Sequence, residues 1–231
     1  MPSGRHLGAA RQPDPSLKQR IGRWLGHSAA KPLVFALCLL PLALLVWGAV
    51  MNTLGANPAE AILRGTGLWT LRLLCLVLLV TPLRKSTGWV ALARWRRMLG
   101  LFVFFYASLH FLAYAWLDMG FDVDAIVRDL PKRPFALVGF VAFVALIPLA
   151  ATSFNRAIRW LGAPRWQLLH KLVYVIAVLA VLHFLWIRSS KHRYGDVVLY
   201  GGIVALLLAA RLGSLRLWIR RHSGRPPVTS V

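Results

Sequence analysis

The chain has 231 residues, of which 58% are hydrophobic and only 15% charged, and its mean hydropathy is +0.62. Soluble domains carry about 25% charged residues, so this composition excludes a soluble enzyme and a disordered chain alike. Lys and Arg number 28 against 7 Asp and Glu, a formal net charge of +21. These cations lie between long apolar runs, which points to membrane topology rather than to nucleic acid.

Residues 1–32 form a polar, cationic tail with a short surface helix around Leu17–Leu25. No small-residue cleavage site follows the first apolar run, so the tail does not read as a signal peptide. A membrane-crossing helix needs about 20 apolar residues. Six stretches qualify: Leu33–Met51, Gly67–Leu83, Met98–Leu117, Phe135–Ala151, Leu168–Ile187 and Val197–Leu215. Backbone groups cannot go unpaired in lipid, so all six are expected to be helices. Pro41 and Pro148 are expected to kink the first and fourth. Cys38 and Cys75 lie inside apolar runs with no metal-binding spacing and read as packing residues.

Charge sets the orientation. The N-terminal tail carries Arg5, Arg11, Lys18, Arg20, Arg23 and Lys31. The second loop holds Arg84, Lys85, Arg94, Arg96 and Arg97; the fourth holds Arg156, Arg159 and Arg165; the C-terminal tail holds Arg216, Arg220, Arg221 and Arg225. The other side has Glu60, Asp118, Asp122, Asp124, Asp129 and Asp196, with Arg188, Lys191 and Arg193 as exceptions. The positive-inside rule then predicts an all-α integral membrane protein with both termini cytoplasmic. Its parts are a tail (1–32), a six-helix bundle (33–215) and a second tail (216–231). Trp69, Trp89, Trp95, Trp116, Trp160, Trp166, Trp186 and Trp218 fall near span ends and read as interfacial anchors.

The six predicted spans contain no Asp or Glu. Arg72 and Arg211 lie near span ends and are expected to snorkel, and Lys171 sits beside the cytoplasmic end of the fifth span. Three histidines remain: His110 in the third span, and His170 and His183 in the fifth. An ionisable group in a span is costly and is a functional candidate by default. Neutral imidazole is a common axial ligand of haem iron. At ~1.5 Å rise per residue, His110 lies about 18 Å and His183 about 22 Å along their outward-running spans, at matched depth. His170 lies only about 3 Å along, near the cytoplasmic face, with Arg96, Arg97 and Met98 across the gap. On an ideal helix His170 and His183 differ by roughly 140°, so two stacked haems require separate grooves or a helix distortion. A histidine merely bonded to a neighbouring carbonyl is the bland alternative. His6, His27, His192 and His222 read as solvated.

The motifs around these histidines resemble a known family. They are Asn57-Pro58 with Thr66-Gly67, Thr81-Pro82-Leu83-Arg84, Arg96-Arg97-Met98-Leu99-Gly100-Leu101, Leu109-His110, Arg133-Pro134, Thr152-Ser153, Trp166-Gln167-Leu168-Leu169-His170 with Val173-Tyr174, and His183-Phe184 with Trp186. Together they resemble the MsrQ (YedZ) family within the ferric-reductase-like transmembrane domains, over about residues 55–190. The resemblance implies a bacterial inner-membrane subunit holding one or two b-type haems, with FMN also associated. It implies electrons arriving from the quinone pool or a cytoplasmic flavin reductase. They would pass to MsrP, a periplasmic molybdenum enzyme that repairs oxidised methionine. The axial ligands would be His110, His183 and His170. Arg84, Arg96 and Arg97 suit haem propionates or a flavin phosphate, although the positive-inside rule accounts for any one of them equally well. The wider group has two histidines in each of helices three and five, whereas this chain has only His110 in the third. No residue of the chain itself is expected to catalyse sulfoxide reduction, and no nucleic acid partner is expected. The rival readings are another haem reductase of the same group, acting on ferric ion or oxygen, a non-haem transporter, and a structural scaffold.

Overall fold

The computed structural model describes residues 17–189 and 194–222, without the side chains of Lys18 and of 212–222. His6, His192, Arg5, Arg11, Lys191, Arg193 and Arg225 lie outside the described residues, as do the side chains of Arg216, Trp218, Arg220, Arg221 and His222. Every regular element among the described residues is helical: α1 (Leu17–Gly26), α2 (Ala30–Val50), α3 (Pro58–Thr87), α4 (Leu92–Ala113) with a π-helical extension (Tyr114–Asp118), α5 (Val123–Asp129), α6 (Pro134–Ala151), α7 (Asn155–Leu161), α8 (Ala163–His170), α9 (Leu172–Ser189) and α10 (Gly195–His222).

Five of the predicted spans coincide with helices long and apolar enough to cross a membrane: α2, α3, α4 with its extension, α6, and α8–α9 taken together. The sixth predicted span, Val197–Leu215, lies within α10, which continues past it to His222. Two other boundaries differ from the sequence reading. α3 begins at Pro58, nine residues before Gly67, because Asn57 caps it by accepting from the Glu60 N–H and Pro58 occupies the first turn. An ion pair between Arg64 and Glu60 supports these added turns. The loop Asp118–Asp129 contains α5, capped by Asp122 accepting from the Ala125 N–H.

α3 is the central helix. It packs most extensively on α4 and also contacts α2, α9 and α10; α6 pairs chiefly with α9. Leu74, Leu78, Val103, Tyr106 and Ile176 are almost wholly buried along these contacts. α2 is peripheral, and its Leu37, Leu44, Trp47 and Val50 face outward, as lipid-facing residues of a spanning helix do.

Two polar side chains repair the ladders of proline-containing helices. Tyr106 of α4 inserts its hydroxyl into α2 beside Pro41, donating to Cys38 O (2.8 Å) and accepting from Leu42 N (3.1 Å). Those two groups are an i, i+4 pair and close on each other when the hydroxyl is removed. Tyr106→Phe is therefore expected to cost only about 1 kcal/mol, measurable as a small fall in the thermal midpoint in detergent.

Arg211 of α10 plays the second part. Pro82 lies inside α3 and has no N–H for the carbonyl four residues earlier, Leu78 O. Arg211 donates to that carbonyl from Nε (3.1 Å) and Nη2 (2.8 Å), and from Nη2 to Val77 O (3.0 Å). Its Nη1 reaches the Tyr174 hydroxyl at 3.2 Å. Arg211 thus points into the bundle instead of snorkelling. Arg72 likewise turns to protein, donating to the Tyr200 hydroxyl (2.9 Å) and lying over the Trp69 ring.

Candidate functional site

His110 and His183 come from α4 and α9, and their ring centroids lie 6.0 Å apart with planes at 78°. His110 Nδ1 donates to Leu63 O of α3 at 2.9 Å, with the Thr66 hydroxyl 3.5 Å away. His183 Nδ1 donates to Phe135 O of α6 at 2.7 Å. A carbonyl only accepts, so each Nδ1 carries the proton and each neutral ring keeps its lone pair on Nε2. This is the tautomer a metal-ligating histidine takes when a carbonyl holds its other nitrogen.

The spacing suits one metal ion shared between them. A metal–imidazole bond is about 2 Å, so two imidazoles with centroids 6.0 Å apart leave room for one ion that both would hold. Among the described residues no cluster of three or more His, Cys, Asp or Glu is placed to hold a metal. With two protein nitrogens and no third ligand among the described residues, His110 and His183 would hold a metal that brings its remaining ligands with it. The donor set therefore fits a haem.

His170 lies at the opposite, arginine-rich end of the bundle. The α8–α9 rod is interrupted immediately after it. Lys171 N donates to both Gln167 O (3.2 Å) and Leu168 O (3.1 Å), and Tyr174 N to Lys171 O (3.0 Å), a local tightening of the helix. The helix is therefore locally distorted between His170 and His183. The His170 ring stacks on Trp166 with centroids 4.0 Å apart. Its Nε2 lies 3.1 Å from the Thr152 hydroxyl, which spends its own proton on Pro148 O at 2.7 Å. His170 Nε2 is therefore the donor in that pair, the reverse of the tautomer in His110 and His183. Trp166, read from sequence as an anchor, is part of this site, and its Nε1 donates to Thr152 O at 2.9 Å.

A cavity of about 540 Å³ opens beside His170. Arg84, Arg96, Arg97, Arg211 and Lys171 line it together with Tyr174, and no carboxylate among the described residues does. Arg97 is also tied to Asn155 Oδ1 at 2.8 Å. The structure thus brings all three sequence-predicted arginines to His170 and none of them to the His110–His183 pair. Arg211 was missed as a cavity residue because its position near a span end looked like ordinary snorkelling. Its only sequence signal was a lone cation in an apolar run.

Helices apolar enough to cross a membrane thus bring two imidazoles together, with a third beside a cationic cavity. The family described as ferric reductase like transmembrane component matches residues 66–181. Among curated proteins, the chain is 63% identical over 190 residues to the "Protein-methionine-sulfoxide reductase heme-binding subunit MsrQ" of Polaromonas naphthalenivorans (strain CJ2), covering 82% of this chain and 87% of that one. Proteins of the same name from Herminiimonas arsenicoxydans (51% identical, covering 79% of this chain and 84% of the relative) and Bordetella parapertussis (49%, 91% and 98%) are also similar. No solved structure matches. The chain belongs to the MsrQ family.

Proposed function

We propose that this chain is a haem b-containing electron-transfer subunit of a methionine sulfoxide reductase system, spanning the bacterial inner membrane six times with both termini cytoplasmic. The observation that carries the reading is the His110–His183 pair, with both Nδ1 atoms held by carbonyls and the rings 6.0 Å apart. A bound haem supplies a one-electron carrier inside the bilayer. The chain's own residues fix the ligand tautomers and surround the site with apolar helices that exclude water. At the cytoplasmic end, Arg84, Arg96 and Arg97 neutralise anionic groups, either haem propionates or the phosphate of FMN. His170 holds a second haem there. Ligation through its Nε2 requires it to release Thr152, whereas Nδ1 carries no such commitment. Electrons enter from the quinone pool or a flavin reductase and leave to a periplasmic molybdoenzyme, MsrP.

Proteoliposomes with ferricyanide trapped inside test the reading when a quinol or a flavin reductase with its reductant is supplied outside. The trapped oxidant should be reduced well above the protein-free rate, and equal rates would reject the conduit. His170→Ala is expected to halve the haem-to-protein ratio while the remaining low-spin band persists. An unchanged ratio removes His170 from the ligand set.

A further inference from the structure

The two facing imidazoles are seated in the same way on two different helices. His110 donates to Leu63 O and lies against Gly67, four residues on in α3. His183 donates to Phe135 O and lies against Gly139, again four residues on, in α6. In an α-helix the N–H of residue i+4 points at the carbonyl of residue i. Each ring therefore covers one helical carbonyl and the bare backbone directly above it. A Cβ on Gly67 would stand 2.9 Å from Cε1 and 3.0 Å from Nδ1 of His110. One on Gly139 would stand 2.7 Å from both Cε1 and Nδ1 of His183. These rings are rigid and tethered, and they sit within the α3–α4 and α6–α9 pairs, so they have little room to yield. His170, bonded through Nε2 to a hydroxyl, has no such seat.

Glycine inside a helix is ordinarily a liability relative to alanine. Two glycines under the two facing rings call for a reason, and the seat supplies it. We propose that Gly67 and Gly139 are positioning residues of the axial pair: each sets the depth and plane of one imidazole, and with it the placement of Nε2 for haem iron. The proposal rests on haem ligation by His110 and His183.

The test compares Gly67→Ala and Gly139→Ala with Gly202→Ala, whose Cβ meets open space. The readouts are haem-to-protein ratio, the low-spin electron paramagnetic resonance signal of the oxidised protein, and the midpoint potential. Each seat variant should shift the resonance signal and the potential and lower haem affinity by about tenfold, while Gly202→Ala changes none of the three. Unaltered signal, potential and occupancy in both seat variants overturn the proposal. If His110→Ala and His183→Ala at the same time lose the paired-histidine haem, the haem reading stands; if those keep the wild-type spectrum, it falls as well. A second arm removes the clash, so that folding is not at issue. His110→Gly should regain its low-spin spectrum with added imidazole. In His110→Gly/Gly67→Ala the half-saturating imidazole concentration should rise about tenfold, because the methyl fills the seat. Equal imidazole affinity in both, or uptake by neither, overturns the proposal.

Discussion

In His110→Ala and in His183→Ala the dithionite-reduced b-type band is expected to lose the share of the paired-histidine haem, leaving only what His170 holds. Altering only the groups that orient a metal-bound histidine costs about 10–100-fold in metal affinity. Losing one of just two protein ligands should exceed that, so a loss of more than about 100-fold is expected. The fold should survive. His183 is held by one helical carbonyl and His110 by another with the Thr66 hydroxyl nearby, and each carbonyl keeps its own helix partner when the ring is gone. The combination to look for is loss of that one haem from a protein that remains monodisperse in detergent. A histidine that served only to bond a carbonyl would give the opposite result, a full spectrum and a slightly lower melting point. An unchanged spectrum in both variants would end the ligand assignment.

Arg211→Met should be the most damaging substitution for stability outside the histidine pair. It strips Leu78 O of the donors that replace the missing Pro82 N–H, and it takes one from Val77 O. Removing a buried charge lowers the desolvation cost, but Leu78 has no exposed surface, so its abandoned carbonyl is left without a donor. We expect a net loss of about 3 kcal/mol, seen as a drop in thermal midpoint of roughly 6–12 °C. Pro82→Ala supplies the missing N–H. In the double variant Pro82→Ala/Arg211→Met the arginine's removal should therefore cost about 1 kcal/mol less than it does alone. Strict additivity in this cycle would show that Arg211 acts elsewhere than at the kink.

Much of the fold is legible because lipid imposes few solutions. Length and hydropathy located α2 and α6 to within three residues, and α4 and the α8–α9 rod to within six. They fell short for α3, whose first turns carry Glu60 and Arg64 and so lack the apolar signal although they are helical. The rise per residue also sufficed to put His110 and His183 at one depth, since a helix converts residue number into height. It did not reveal what each ring touches. Arg84, Arg96 and Arg97 were legible as a basic group but not as the lining of one cavity with Arg211, 127 residues after Arg84 in the chain.

Composition and spacing alone established a helical membrane protein with strong charge asymmetry and three histidines in its spans. Packing decided which nitrogen of each histidine is free, that Trp166 and Thr152 hold His170, that Arg211 mends the kink at Pro82, and that two glycines lie beneath the paired rings. The reason is the nature of the partners. Leu63 O, Phe135 O, Leu78 O and the bare faces of Gly67 and Gly139 are backbone features. Every residue has a carbonyl, so no residue type announces which one a side chain will reach until neighbouring helices bring them together.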